Sequence, residues 1–351
     1  MSMSRNAMSQ ITAIMPVRNG YNLLPLSLPP LLAMQDRGEL VEVIVVDDAS
    51  TDDSAKFSAH LGAKVLHNTE RSGPGAARNL ASQQAKGDIL WFVDADVVVH
   101  EDAARQVAVG LAEPGITAMF GSYDDRPASQ NFASQYKNLV HHHYHQTGKS
   151  DATTFWSGCG AVQKKAFMDI GGYDAETYSR PSIEDIDLGC RLRDAGHRII
   201  LHPLFLSTHL KTWRFWQMVK DDFFLRAVPW SQQMFARGEI LEDLNVSFPE
   251  RIRAIIAGLL FISVAAALFE LVSWWVPLVA TGIAFISNRR LFALFNRRNG
   301  ILFGIGGLLF HQVYYLYSGV AFGMCWLESV FPVKFFQTQA KPGVTIIEKK
   351  V

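Results

Sequence analysis

Ile89-Leu90-Trp91-Phe92-Val93-Asp94-Ala95-Asp96 is the stretch that decides the reading of this chain. A run of five apolar residues ends abruptly in two carboxylates one residue apart. Gly87-Asp88 bounds the run, so it reads as a buried strand of a parallel sheet. In open α/β sheets ligands sit beyond the carboxyl ends of the strands. Asp94 and Asp96 therefore lie where a ligand is expected. Alternate residues leaving a strand can point to one side, and two carboxylates so placed can grip one cation. An isolated Asp-x-Asp is more often a solvated acidic turn, so its surroundings have to decide.

Upstream, Ile11 to Met15 reads as a strand closed by Pro16, followed by a turn at Val17-Arg18-Asn19-Gly20. Asn22 to Met34 reads as a helix that Pro25, Pro29 and Pro30 should interrupt. Val41 to Val46 is a second strand, and it too ends in carboxylates, Asp47 and Asp48. Ser50-Thr51-Asp52-Asp53 supplies helix-start chemistry. Ala63 to Leu66 is a third strand and Pro74 to Ala85 a helix. Strand and helix alternate at short spacing, which predicts a doubly wound, mostly parallel sheet.

Downstream, Glu101 to Leu111 reads as a helix and Ala118 to Gly121 as a strand. The run His141-His142-His143-Tyr144-His145 resembles a metal site in composition only: on a helix His141 and His145 alone share a face, and no acidic or cysteine partner is near in sequence. It reads as a helix bordering an acceptor entrance. Phe155-Trp156-Ser157-Gly158-Cys159-Gly160 suits either close backbone approach to a ligand or a bulged core strand. Ser182 with Asp185 fits a helix N-terminus, and a carboxylate there is usually a cap. Glu184 and Asp185 cannot both cap, which leaves one for another purpose.

The chain has 351 residues, a formal net charge of zero and three widely spaced cysteines. Neutral charge gives no support for nucleic-acid binding. The odd cysteine count suits a reducing compartment. Met1 to Gln10 is polar, without the apolar core of a signal peptide, so the amino-terminal domain is expected in the cytoplasm. From Ile252 to Val330 the sequence reads as membrane: 252–269, 276–286 and 301–330 are apolar, Trp274-Trp275 fits an interfacial belt, and Arg289-Arg290 with Arg297-Arg298 forms a positive loop favouring the cytoplasmic side.

Taken together, Pro16, Asp47-Asp48, Gly73-Pro74-Gly75-Ala76-Ala77-Arg78-Asn79, Asp94-Ala95-Asp96, Gly171-Gly172-Tyr173-Asp174 and Glu184-Asp185 resemble, in order and spacing, the family 2 glycosyltransferases. The resemblance covers roughly residues 10 to 230. It implies a GT-A nucleotide-diphosphosugar transferase fold, followed here by two to three C-terminal transmembrane helices. The expected divisions are a disordered 1–10, a catalytic domain at 11–230, an amphipathic linker at 231–250, membrane helices at 251–330 and a tail at 331–351.

The resemblance also implies transfer of a sugar, with inversion, from a UDP- or GDP-sugar to an acceptor. The acceptor is expected to be lipid-linked because the anchor holds the site against the bilayer, with the enzyme multi-pass in the plasma (inner) membrane and its catalytic domain cytoplasmic. By similarity Asp48 reads the base with Pro16 and Arg18 at its edge, Arg78 approaches base or phosphates, and Asp94 faces the ribose and metal side. Asp96 binds Mg²⁺ or Mn²⁺, and His209 completes the cation site unless it is a packing histidine. Asp185 is the general base. Trp156, Gly158, Glu184, Arg226 and Trp230 are candidates for acceptor or diphosphate contact, although Phe223 stands where processive members carry a glutamine. A non-catalytic nucleotide-sugar-binding protein with the same fold is the other reading. A nucleotidyltransferase is disfavoured because no glycine-rich loop with a lysine follows the first strand.

Overall fold

The computed structural model describes residues 10–336; the expectations for residues 1–9 and 337–351 lie outside the described residues. In chain order the first elements are β1 (Ile11–Val17), α1 (Leu24–Asp36), β2 (Glu42–Asp48), α2 (Ser54–His60), β3 (Lys64–Asn68), α3 (Gly73–Gln84), β4 (Ile89–Val93) and β5 (Val97–Val99). Then come α4 (Ala103–Ala112), β6 (Ile116–Tyr123), α5 (Phe132–Thr147), β7 (Asp151–Ala152), β8 (Cys159–Gln163), α6 (Lys164–Asp169), α7 (Glu184–Asp194) and β9 (Arg198–His209). The last are α8 (Phe215–Asp221), a π-helical turn (Asp222–Ala227), α9 (Val228–Arg237), a short 3-10 turn (Leu244–Val246), α10 (Phe248–Leu268), α11 (Trp275–Ser287) and α12 (Arg289–Val330).

Among the described residues nine strands form one sheet, in the order β3-β2-β1-β4-β8-β6-β9-β5, with β7 on β9. The half β3-β2-β1-β4 is parallel, as the alternation of strands and helices predicts. Beyond β4 the sheet is mixed, because β8 enters antiparallel between β4 and β6. Both faces are covered by apolar residues: Met15, Val45 and Trp91 lie in one cluster, Ile14, Ile44 and Phe92 in the other. Alternation along each strand sends neighbours to opposite layers, and burial on both sides explains the unbroken apolar runs.

Several local expectations change. Pro29 and Pro30 sit inside an uninterrupted α1. The carbonyls deprived of an N–H partner belong to Pro25 and Leu26, both on the exposed face. Ser182 does not cap α7: the cap position is Ile183, the Ser182 N–H donates to Glu184 Oε2 at 2.7 Å, and its hydroxyl donates to the Leu225 carbonyl at 3.1 Å. The arginine pairs 289–290 and 297–298 lie on a helix rather than in a loop, since α12 begins at Arg289 and bends only at Gly300, where φ is 81°. Residues 231–250 hold the end of α9, the 3-10 turn and Asp243, whose Oδ2 accepts from the N–H and hydroxyl of both Thr153 and Thr154.

α10 and α12 are long and apolar enough to cross a membrane by length and composition; α11, at 13 residues, is shorter. α5 joins these helices to the sheet domain. Tyr136 donates to or accepts from His311 Nδ1 at 2.8 Å, and Tyr144 contacts His311 Nε2 at 3.2 Å. Glu250 Oε2 accepts from Tyr315 at 2.6 Å. The Arg298 Nε–H donates to Asp125 Oδ2 at 2.5 Å.

Candidate active site

The site lies at the carboxyl ends of β1, β2 and β4, where the parallel half of the sheet opens. Both turns leaving β1 and β2 are knitted together: the Thr51 N–H donates to Asn19 Oδ1 at 2.8 Å, and the Tyr21 N–H to Asp52 Oδ2 at 3.1 Å. Pro16 is buried within β1 opposite Val46, and Arg18 is exposed just beyond it. Asp48 is buried, and its carboxylate is largely occupied. It accepts from Asn68 Nδ2 at 3.0 Å, from the Ser72 N–H at 2.8 Å and from the Gly73 N–H at 2.9 Å. Asp48 thus binds the first amides of α3, a favourable place for a carboxylate. Gly73 has φ 86°, and a Cβ there would meet the Ser179 carbonyl oxygen at 2.5 Å, so this corner requires glycine.

Arg78, on α3, is 2% exposed. Its Nη2 donates to Asp94 Oδ1 at 2.5 Å. Nη1 lies 3.9 Å from Glu184 Oε1, and the guanidinium stands over the Tyr173 ring at 5.3 Å. Burial alone disfavours the charge, but Asp94 first, then Tyr173, Glu184 and Asp185, outweigh it and hold the proton firmly. Nε and Nη1 have no hydrogen-bond partner. Arg78 therefore links the strand-end aspartate to the start of α7 from beneath the site.

Asp96, in the turn after β4, and His209, at the end of β9, come together. Asp96 Oδ2 is 3.5 Å from His209 Nε2, and the Leu210 N–H donates to the Asp96 carbonyl at 2.8 Å. The His209 ring stacks on Tyr123 with centroids 4.2 Å apart. Burial works to raise the Asp96 pKa; the hydrogen bond and charge of His209, then Lys211, overcome it, and the net shift is downward. An anionic carboxylate and an imidazole at this separation fit a divalent cation that takes its remaining oxygens from diphosphate and water, because Mg²⁺-type ions are commonly held by one or two carboxylates plus substrate phosphates. Among the described residues no group of three or more His, Cys, Asp or Glu forms a metal cage. His141 and His145 instead pack ring against ring at 4.0 Å, and His145 Nδ1 meets the Gly121 carbonyl at 2.8 Å.

Asp185 opens α7. Its Oδ1 accepts from the Ile186 N–H at 2.9 Å, and Oδ2 lies 3.5 Å from the Ser157 N–H. Burial first, then the neighbouring Glu184 carboxylate, pushes its pKa up to about 6, against the pull of Arg226 and Arg78. Glu184 is spent on Ser182 and Arg78. Arg226, in the π-helical turn, donates to the Ser182 carbonyl and so carries positive charge to the same place. Lys211, whose ammonium lies 3.9 Å from the Trp213 ring centroid, has its pKa lowered by burial, with Asp96 opposing.

Three expected contact residues face inward. Trp156 packs against Tyr123, His141 and His145. A Cβ on Gly158 would strike the Trp156 ring at 2.5 Å, so the indole packs closely on its backbone. Trp230 is buried with Ile183, Cys190 and Met234. Sequence reasoning missed Tyr173, whose hydroxyl bonds Ser157 Oγ at 2.7 Å beneath Asp185, and Tyr123 behind His209. Gly171-Gly172-Tyr173-Asp174 was a usable signal for the first; no local pattern marked the second.

The sequence model of the family described as Glycosyl transferase family 2 matches residues 12–171. The chain is 27% identical over 210 residues to the pre-mycofactocin glycosyltransferase of Mycobacterium tuberculosis, covering 57% of this chain and 42% of that protein. It is 34% identical over 112 residues to the poly(ribitol-phosphate) β-N-acetylglucosaminyltransferase TarS of Staphylococcus aureus, covering 30% of this chain and 19% of TarS. The chain thus spans less than half the length of these relatives. Among solved structures, the mannosyltransferase PcManGT from Pyrobaculum calidifontis, in complex with GDP-Man and Mn²⁺, superposes with a TM-score of 0.52 at 19% identity, covering 90% of this chain and 88% of that one. That likeness concerns the fold. With the matched family, the sheet order and the strand-end carboxylates in agreement, the chain carries a family 2 glycosyltransferase domain of GT-A fold.

Proposed function

We propose that the chain is an inverting glycosyltransferase that moves a sugar from a UDP- or GDP-sugar to a lipid-linked acceptor at the cytoplasmic face of a plasma membrane. The observation that carries this reading is Asp185: a half-enclosed carboxylate with a pKa of about 6, next in the chain to Glu184, which Arg78 links to Asp94. A general base works best with a pKa near the working pH. Above pH 6 Asp185 is ionised and takes the proton of an acceptor hydroxyl as that oxygen attacks the anomeric carbon. The diphosphate leaves from the opposite side, so the centre inverts in one displacement.

Arg78 keeps Asp94 and the start of α7 in register, and Arg226 and Lys211 supply fixed positive charge to an anionic substrate. A divalent cation, Mg²⁺ or Mn²⁺, held by Asp96 and His209, would stabilise the charge of the departing diphosphate. The nucleotide sugar and Mn²⁺ bound by the mannosyltransferase of similar fold agree with such a donor. The apolar α10 and the exposed Arg289 and Arg290 beside its hairpin with α11 support a membrane anchor with the catalytic domain on the positive side.

Incubating membranes that contain the chain with radiolabelled UDP- and GDP-sugars tests this. Label entering the lipid fraction from one donor, and not with Asp185→Asn, is the expected result. Transfer only to water-soluble acceptors would overturn the lipid assignment, and no transfer by folded protein would overturn the activity.

A further inference from the structure

The long arm of α12, residues 301–330, passes the length and hydropathy criteria of a membrane span, yet it is docked on the catalytic domain from end to end. Near its start Phe303 and Phe310 pack on Phe132 and Tyr136 of α5. In the middle His311 meets Tyr136 and Tyr144, Tyr314 accepts from Asn245 Nδ2 at 2.7 Å, and Tyr317 donates to Asp222 at 3.1 Å. Toward its end Phe322 packs on Phe235, and Cys325 reaches the Val228 carbonyl. The helical rise puts these contacts over about 30 Å of helix. A helix held along that length by a domain with buried Asp222 and polar α5 and α9 cannot leave it to cross a bilayer.

Its opposite side is apolar and uncovered. Leu302, Leu309, Val313 and Val320 are exposed, and steps of seven, four and seven residues put them on one line of the helix. Gly304, Gly307, His311 and Tyr315 face the other way, into the protein. Beside this stripe α10 and α11 pair as a hairpin whose outer surface is apolar, with Ile255, Leu259, Ile262, Leu278 and Ile283 exposed. The base of the hairpin closes at the Arg253 Nε–H to Ser287 carbonyl bond of 3.0 Å, so α11 returns to the side from which α10 left. Exposed Arg289, Arg290 and Arg297 sit on the short arm of α12 next to that base. Apolar surface edged by arginines complements an anionic lipid surface.

We infer that the long arm of α12 is an in-plane helix: its 302–309–313–320 stripe lies in the headgroup–acyl boundary of an anionic bilayer, only the α10–α11 hairpin enters the hydrocarbon, and both ends of the described chain stay on the catalytic side. The inference rests on the membrane reading above and deepens it. The active-site segments around Arg226 and α9, which pack on this helix, are thereby held at the lipid surface.

Single cysteines at Leu302, Val313 and Val330, and at Ile262 in the hairpin, labelled with an environment-sensitive fluorophore, test it in the full chain. The chain is reconstituted in phosphatidylcholine–phosphatidylglycerol vesicles carrying depth-graded quenchers. All four positions are exposed, and the native chain with its buried cysteines is the labelling control. The inference predicts shallow positions at 302 and 313, on the stripe, a position no deeper than these at 330, about a quarter-turn off it, and a deep position at 262. A graded depth from 302 to 330, across about 40 Å of helix, would overturn the in-plane arrangement while a deep 262 kept the anchor. Water-like emission at 302, 313 and 330 would also overturn it and point to a protein partner, and water-like emission at 262 as well would overturn the membrane reading itself.

Discussion

Replacing Asp185 by Asn should make the protein more stable and nearly inactive at once. In the folded chain, burial and Glu184 raise the Asp185 pKa from 3.8 to about 6. The folded state therefore holds this proton more tightly than the unfolded state does. The sign follows: no penalty exists below pH 4, it develops between pH 4 and 6, and it is complete above pH 6. At 1.36 kcal/mol per tenfold difference in proton affinity, its upper size is about 3 kcal/mol. Asn is isosteric and carries no charge, and its oxygen can still accept from the Ile186 N–H. Asp185→Asn should thus gain up to about 3 kcal/mol at pH 7.5, or roughly 5–10 °C in melting temperature for a domain of this size. At pH 4 it should match the wild type. Turnover should fall by about 10²–10⁴-fold, the usual worth of a general base, with donor affinity unchanged. Thermal unfolding at the two pH values, with steady-state kinetics at 7.5, reads all of this. Equal stability at pH 7.5 would refute the strained carboxylate, and near-normal turnover would refute the base.

Other perturbations separate the remaining roles. Wild-type kcat/KM should rise tenfold per pH unit below about pH 6 and level off above it; a flat profile from pH 5 to 8 would assign the limiting proton transfer elsewhere. Asp48→Asn should cost about 1–3 kcal/mol, because acceptors for the Ser72 and Gly73 amides weaken. A change in base preference without loss of stability would instead make Asp48 a nucleotide reader. Arg78→Met leaves Asp94 and Glu184 without their shared cation and should destabilise by roughly 3 kcal/mol, measured by denaturant unfolding. A purely kinetic defect would show Arg78 to be a substrate ligand rather than a brace. His209→Ala should raise the Mn²⁺ concentration for half-maximal donor binding by about tenfold or more, near the lower end for perturbed metal sites. An unchanged titration would leave His209 as a packing residue between Tyr123 and Asp96.

Much of the site was legible because chemistry and secondary structure coincide there. Apolar runs that stop at Asp47-Asp48 and Asp94-Ala95-Asp96 announce strand ends, and a strand end in this fold is where ligands gather. What sequence could not give was partnership across long separations. Arg78 read as a contact to base or phosphates, and sequence carried no sign that Asp94, sixteen residues away, takes its guanidinium. Trp156 read as an acceptor or diphosphate contact, yet Tyr123 and the two histidines of α5 pack around it. Pro29 and Pro30 suggested a break that solvent-facing carbonyls make unnecessary. The antiparallel entry of β8 was hidden because a strand buried on both faces looks alike in either direction. The third apolar segment shows the same limit: hydropathy averages over a helix and does not tell an exposed stripe from a docked one.

The most direct test of the account is donor binding by the detergent-solubilised chain, measured by calorimetry across UDP- and GDP-sugars with and without Mn²⁺, beside Asp96→Ala. The account predicts binding of one donor class that needs Mn²⁺ and is lost in Asp96→Ala. Binding that is indifferent to Mn²⁺ and to Asp96, or no binding by folded protein, would contradict it.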